Sequence, residues 1–386
     1  MHPGPRCSLL LLALGLGAAG CTDALIIDRG TRDGAAADGA LGDAGVTVPD
    51  GACRPGDAGI VGTPGCDPRR PPPRPDCRPG DAGVNVDLLF ALRDVTFKNA
   101  DWSTDGYDLD GLCTVDGSAP AECAGPGMRE HVPDGEDGID NAFARQIVPT
   151  LTSAQPSFET DMQARQMEGR FTIILRVEGW NGLNDDPLVE VTIAQGICAA
   201  REGEPPCSDD MPGVPAWDGQ DLFYAAESSY LDGDETMPLA RDPAAYVANR
   251  TLVVRLPAGV QLQLAGAGRI LGVGLTDATL TGVLAPGAET LRDVLLVGRW
   301  ARTAVLAAVD EGLLCGSDPA GHPEDVLARM VLESALDQAL DVMRESRGTM
   351  PPVVCESVSL GIGFTGRAGR WGGLVVGPAV PDPCTL

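Results

Sequence analysis

Two stretches of this chain place carboxylates at the close spacing that hard-cation chemistry needs. Asp105-Gly106-Tyr107-Asp108-Leu109-Asp110-Gly111 sets aspartates on a glycine-rich loop, and Asp134-Gly135-Glu136-Asp137-Gly138-Ile139-Asp140-Asn141 follows shortly after. Calcium takes about six to eight oxygen ligands from carboxylates and carbonyls, and loops of this type supply both. The expected ligands are Asp105, Asp108, Asp110, Asp137 and Asp140. The register is not that of an EF-hand. With Asp108 and Asp110 at its third and fifth positions, the first and twelfth fall on Gly106 and Gly117, where carboxylates are required. The competing reading is a solvated acidic loop in a chain of net charge −27.

Other chemistries are limited by residue type. Past the N-terminal segment the only histidines are His131 and His322, the only lysine is Lys98, and no Gly-x-Ser-x-Gly elbow, HExxH or P-loop occurs. Paired carboxylates remain, as in glycosidases, so a secreted glycan hydrolase is the alternative function. Asp185 and Asp186, in Asn184-Asp185-Asp186-Pro187, sit where a plain turn is the simpler expectation. Gly361-Ile362-Gly363-Phe364-Thr365-Gly366 matches a dinucleotide fingerprint by letter, but the residues after it make a poor helix start and leave no room for a βαβ unit. Trp102, Trp180, Trp217, Trp300 and Trp371 are too scattered to read as a sugar-stacking face.

The N-terminus carries an address. Arg6 precedes an apolar run from Leu9 to Ala19, and Ala18-Ala19-Gly20 leads into Cys21. The run is too short to span a bilayer comfortably and has the layout of a secretory signal. Ala-Ala-Gly-Cys resembles the lipobox of bacterial lipoproteins, with Ala18 where leucine is usual. That resemblance implies cleavage before Cys21 and its lipidation. Acyl chains burying methylenes at about 0.8 kcal/mol each would then hold the protein on a membrane. Thr22, rather than aspartate, resembles lipoproteins sent to the outer membrane. The competing reading is an ordinary signal peptide, with Cys21 entering a disulfide. The acidic loops resemble the aspartate-rich calcium loops of thrombospondin type 3 repeats. Over about forty residues, the run from Asp105 to Phe143 also resembles lipoproteins of GC-rich Gram-negative bacteria, which brings no activity with it.

Charge and cysteines bound the partners and the compartment. The acidic balance disfavours nucleic acid and anionic lipid surfaces. Beyond Cys7 and Cys21 there are Cys53, Cys66, Cys77, Cys113, Cys123, Cys198, Cys207, Cys315, Cys355 and Cys384, with no CxxC pair. An even set in an exported chain predicts disulfides rather than zinc. Cys113–Cys123 and Cys198–Cys207 are the natural local pairs, with Cys315–Cys355 stapling a helical segment to the strand after it.

The elements that must position these residues follow from patterning. Residues 1–20 read as signal peptide. Residues 21–85, rich in Gly, Ala, Pro and Asp, read as a flexible tether containing the stiff spacer Arg69-Arg70-Pro71-Pro72-Pro73-Arg74-Pro75. Residues 86–386 read as the globular part. Short β-branched runs at 171–177, 188–193, 252–256, 260–264, 270–276, 278–284 and 291–297 predict antiparallel strands without helical crossovers. Helices are expected over about 300–314 and 323–347, then a returning strand over 353–364. The fold expected is therefore mainly β: a disulfide-bonded antiparallel β-sandwich or jelly roll with a C-terminal helical addition. The expected role is that of a membrane-anchored envelope protein, non-enzymatic, with structural calcium.

Overall fold

The computed structural model describes residues 67–76, 85–114, 121–126, 132–204, 207, 213–266, 269–315, 323–345 and 353–377, all within one unit of 48–386. Cys21 and the signal segment, Cys53, Cys66, Cys77 and Cys384, and His131 and His322 lie outside the described residues.

The strands are β1 (Val86–Thr96), β2 (Thr172–Trp180), β3 (Asp186–Ala200), β4 (Leu222–Ala226), β5 (Ala240–Ala248), β6 (Thr251–Arg255), β7 (Gln261–Gly266), β8 (Arg269–Gly274), β9 (Thr276–Leu284), β10 (Thr290–Ala301), β11 (Ser357–Ala368) and β12 (Arg370–Val375). Among the described residues four α-helices accompany them: α1 (Val148–Ala154), α2 (Phe158–Met167), α3 (Arg302–Gly312) and α4 (Pro323–Ala339). The chain is mainly β and its sheet is antiparallel, apart from the parallel pairing of β12 with β4.

The strand spacing allows a sandwich or a barrel, and the sheet does not separate clearly into the two layers of the expected sandwich. The order β3-β2-β1-β11-β10-β9-β6-β5 returns to β3 through a β3–β5 pairing, closing eight strands into a barrel. The length of β3 makes this possible. Its first half pairs with β5 from Asp186 to Ile193, and its last residues, Gly196 to Ala200, pair with β4 across a register shift. One edge of a single strand therefore serves both the ring and the β4–β12 branch.

Alternation along each strand fills the ring. Leu92, Leu175, Val191, Val247, Val254, Leu280, Leu296 and Ile362, one from each barrel strand, belong to a single buried cluster. Some positions between them carry polar groups, such as Arg176, Glu190, Arg241, Arg255, Asp277 and Arg367, whereas Leu89, Ala91, Ile174 and Ala194 enter a second buried cluster with Phe223 and Ala225 of β4. The same cluster continues through Leu262 and Leu264 of β7, Leu271 and Val273 of β8, and Val305 and Val309 of α3. In α2, the buried residues Phe158, Met162 and Gln166 recur four apart, one face of the helix.

Helix α4 ends at Ala339, earlier than its pattern predicts. Residues 340–343 are buried instead, and Val342 pairs with Ser357 as an isolated bridge, so the start of β11 takes the chain that would have extended the helix. Disulfide pairing also differs. Cys198–Cys207 forms as expected. Cys123 bonds to Cys355, 232 residues away, so neither Cys113–Cys123 nor Cys315–Cys355 forms. Cys113 and Cys315 are disulfide-bonded too. Topology rather than sequence proximity decides, since an Ala124–Val354 bridge already sets those two segments side by side.

Residues 67–76, read from the sequence as part of a flexible tether, lie against the barrel. The Tyr246 hydroxyl donates to the Pro72 carbonyl at 2.7 Å. Arg74 stacks 4.9 Å from the Tyr246 ring centroid and donates to the Pro187 and Ala244 carbonyls. Tyr246 and Ala244 belong to β5 and Pro187 to β3, so this strap crosses the seam where the barrel closes.

Candidate metal centre

Two acidic loops, 101–114 and 132–141, are laced together before any carboxylate is placed. Glu136 N–H donates to Ser103 O, Asp140 N–H to Tyr107 O, and Asp134 N–H to Thr114 O. Gly138 makes this approach possible. It has φ +73°, and a Cβ there would lie 2.7 Å from Leu112 O and 2.9 Å from Cys113 Sγ. The pair is then fixed to β11. Asn141 Oδ1 accepts from Gly361 N–H at 3.0 Å, and a Cβ on Gly361 would strike the Asn141 side chain. The glycines of the fingerprint-like stretch thus serve close packing here. Two residues on, Phe143 is buried between Phe97 (6.0 Å between centroids) and Trp300 (5.5 Å).

On this frame Asp108, Asp110 and Asp140 each offer a carboxylate oxygen within 4.8 Å of the others. Their exposures are 8%, 9% and 1%, so the group is sealed rather than set in a cleft. Each aspartate uses one oxygen to hold the backbone. Asp108 Oδ1 accepts from Asp110 and Gly111 N–H, Asp110 Oδ1 from Leu112 N–H, and Asp140 Oδ2 from Leu109 N–H. The opposite oxygens, Asp110 Oδ2 and Asp140 Oδ1, are buried with no hydrogen-bond partner among the described residues, and Asp108 Oδ2 has only the Arg70 guanidinium at 3.7 Å. A buried anionic oxygen without a donor is strongly disfavoured unless a proton or a cation reaches it.

The surroundings add to the negative charge. Asp134, whose Oδ2 accepts from Thr114 N–H, is pushed up to about 8, first by burial and then by Asp110, Asp341 and Asp108. Burial also raises Asp110 to about 7, with Asp108 and Glu122 adding to the shift. Asp140 is raised well above the ordinary carboxylate range by burial, then by Asp110, Asp134 and Asp341. Asp341 is raised to about 7 by burial although Ser359 donates to it from both its N–H and its hydroxyl. Asp108 is likewise raised by burial, against backbone hydrogen bonds and Arg70 that lower it. Each shift says that an ionised carboxylate is poorly solvated in this place.

Arg299 closes the inner side of the group. Its fully buried guanidinium pairs with Glu122 at 2.6 Å and donates to the Leu109 and Met343 carbonyls. It thereby joins β10, the loop bearing Asp108 and Asp110, the segment before Cys123, and the chain after α4.

Two of the five expected ligands stay outside. Asp105 turns to Lys98 at 2.9 Å. Asp137 is exposed at a turn with φ +53°. Asp134, Asp341 and Glu122 lie near enough to act electrostatically on the three converging aspartates without being among them. Asp134 lies inside the acidic stretch and could have been read from it; Glu122 and Asp341 carry no local signal. Asp185 and Asp186 hold turns, Asp186 accepting from Asn181 and Leu188 N–H and Asp185 from Asn249 N–H.

Chemically, fixed oxygens facing one another at this spacing suit a hard cation. A glycosidase pair must instead stand open to a sugar, with its carboxyl groups about 5–10 Å apart. Comparison of the chain with known protein families, with curated proteins and with solved structures returns no match.

Proposed function

We propose that the chain is an exported lipoprotein, held at the outer membrane through lipidated Cys21, whose barrel has a non-enzymatic binding or structural role at the cell envelope. The barrel carries one structural calcium ion between Asp108, Asp110 and Asp140, with Asp134 beside it. The observation behind the cation is the division of labour in the three aspartates: one oxygen is tied to backbone, and the other has no hydrogen-bond partner among the described residues in Asp110 and Asp140 and only the Arg70 guanidinium in Asp108. Calcium is preferred to magnesium because it accepts irregular cages of carboxylates and carbonyls, whereas magnesium keeps its waters and demands octahedral geometry. The anchoring half of the proposal rests on Ala18-Ala19-Gly20-Cys21 and on the disulfide Cys123–Cys355, a bond that persists in oxidising compartments.

The test is thermal unfolding of the chain from Thr22 in millimolar calcium, in magnesium and in chelator. A ligand confined to the native state stabilises by about 2.7 kcal/mol at a hundred times its Kd, so calcium should raise Tm by several degrees. The rise should be absent in Asp140→Asn and not reproduced by magnesium. An unchanged Tm in calcium would reduce the loops to a protonated acid cluster.

A further inference from the structure

The strap and the carboxylate group meet at two adjacent residues, Arg69 and Arg70. Arg69 N–H donates to Asp137 O, Asp108 N–H donates to Arg69 O, and the Arg69 guanidinium donates to Thr104 O. These bonds fasten the start of the strap to both acidic loops. The next side chain, Arg70, places its guanidinium 3.7 Å from Asp108 Oδ2, the inward oxygen of that aspartate. Arg70 is about a third exposed while the carboxylate is fully buried, so the charge reaches the site from the solvent side. Four residues on, Arg74 and Pro72 hold the strap to Tyr246 independently of the loops.

We propose that Arg70 is an intramolecular stand-in for the cation, so that docking of the Arg69–Arg70 end of the strap and loading of the carboxylate site oppose one another. This deepens the calcium reading and rests on it. Asp108 Oδ2 can face a guanidinium or a divalent ion, and a double positive charge beside Arg70 repels it. Binding of the ion therefore weakens the docking of the Arg69–Arg70 end, which then rests on the Arg69 bonds alone, while the Pro72–Arg74 anchor stays in place. Coupling of this kind is reciprocal: whatever factor the docked strap takes from ion affinity, the ion takes from strap docking. In sequence the strap stands between Cys21 and the first barrel strand, so loading of the site would loosen the two residues on the N-terminal side of the Pro72–Arg74 anchor.

Two measurements on the chain from Thr22 decide it. Calorimetric titration with calcium should give a Kd about tenfold tighter for Arg70→Gln than for the wild type, the size expected for removing one partly screened charge at this distance. Arg70→Lys should stay near the wild-type Kd. Limited trypsin digestion reads the other side of the coupling. Because trypsin does not cut before proline, Arg69–Arg70 is the cleavable bond of the strap, while Arg70–Pro71 and Arg74–Pro75 resist. Calcium should speed that cut in the wild type and leave it unchanged in Asp140→Asn. In Arg70→Gln the cut should already be fast without calcium. Equal or weaker calcium binding by Arg70→Gln, or protection of the bond by calcium, would overturn the coupling while leaving the site itself intact. Absence of calcium binding by the wild type would instead remove the site reading on which the coupling rests.

Discussion

Arg299 illustrates how much one side chain can be asked to hold. Its guanidinium is wholly buried, and its partner Glu122 is nearly so. Breaking a buried pair leaves the remaining charge without compensation, at a cost of about 3–5 kcal/mol. Arg299→Met should therefore destabilise the chain by that amount in urea unfolding, and a loss under about 1 kcal/mol would show that the buried pair contributes little. At this scale the sequence was informative only where neighbours in the chain are also neighbours in space. Asp108, Asp110 and Asp140 could be read from their Asp-Gly setting, because the loops that carry them supply most of their backbone donors. Asp105 and Asp137 share that setting, yet one is captured by Lys98 and the other is turned out by a left-handed residue. Neither event has a signature in composition. Asp341 arrives from two hundred residues downstream, brought by the bridge between Val342 and Ser357.

Elements rather than single residues set the pH response, because the carboxylates come from three separate segments driven together by packing. In the cation-free chain burial pushes Asp110 and Asp341 up to about 7 and Asp134 up to about 8. An unfolded aspartate titrates near about 3.9. Between those values the folded chain holds protons that the unfolded chain has released, so stability falls as pH rises from about 4 to about 8. Calcium binds the ionised form and should flatten the fall. Tm followed across this range, in chelator and in calcium, checks both curves; a flat curve in chelator would show that the carboxylates ionise without penalty. The strands β2, β3 and β6 to β10 were legible as elements, since β-branched runs bounded by turn residues survive any tertiary arrangement. Helix α2 was not, because only three of its ten residues are buried, and two of those three are apolar. The short β4 and the alanine-rich β5 gave little pattern either. The end of α4 and the disulfide partners depend on contacts between distant strands, which no window of sequence contains.

For the molecule as a whole, the sequence supported a mainly β, antiparallel, disulfide-bonded domain, but not the closure of its sheet. Closure hangs on which strand takes the second edge of β3, a choice made by fit across the ring rather than by local pattern. The lipid anchor is a prediction at this scale: Cys21→Ala should move the protein from the membrane to the soluble fraction on cell fractionation, and continued membrane association would refute lipidation there. The ring also has a consequence in time. Strand β1 lies between β2 and β11, so the barrel stays open until residues 357–368 have been delivered. The Cys123–Cys355 bond waits for nearly the same stretch, whereas Cys198–Cys207 can close once nine further residues have emerged. A chain arriving from its N-terminus therefore carries unpaired strand edges for most of its delivery, the condition in which β proteins aggregate. Its vulnerable period ends with the last strands to arrive, so truncations near the C-terminus should be far more damaging than their length implies.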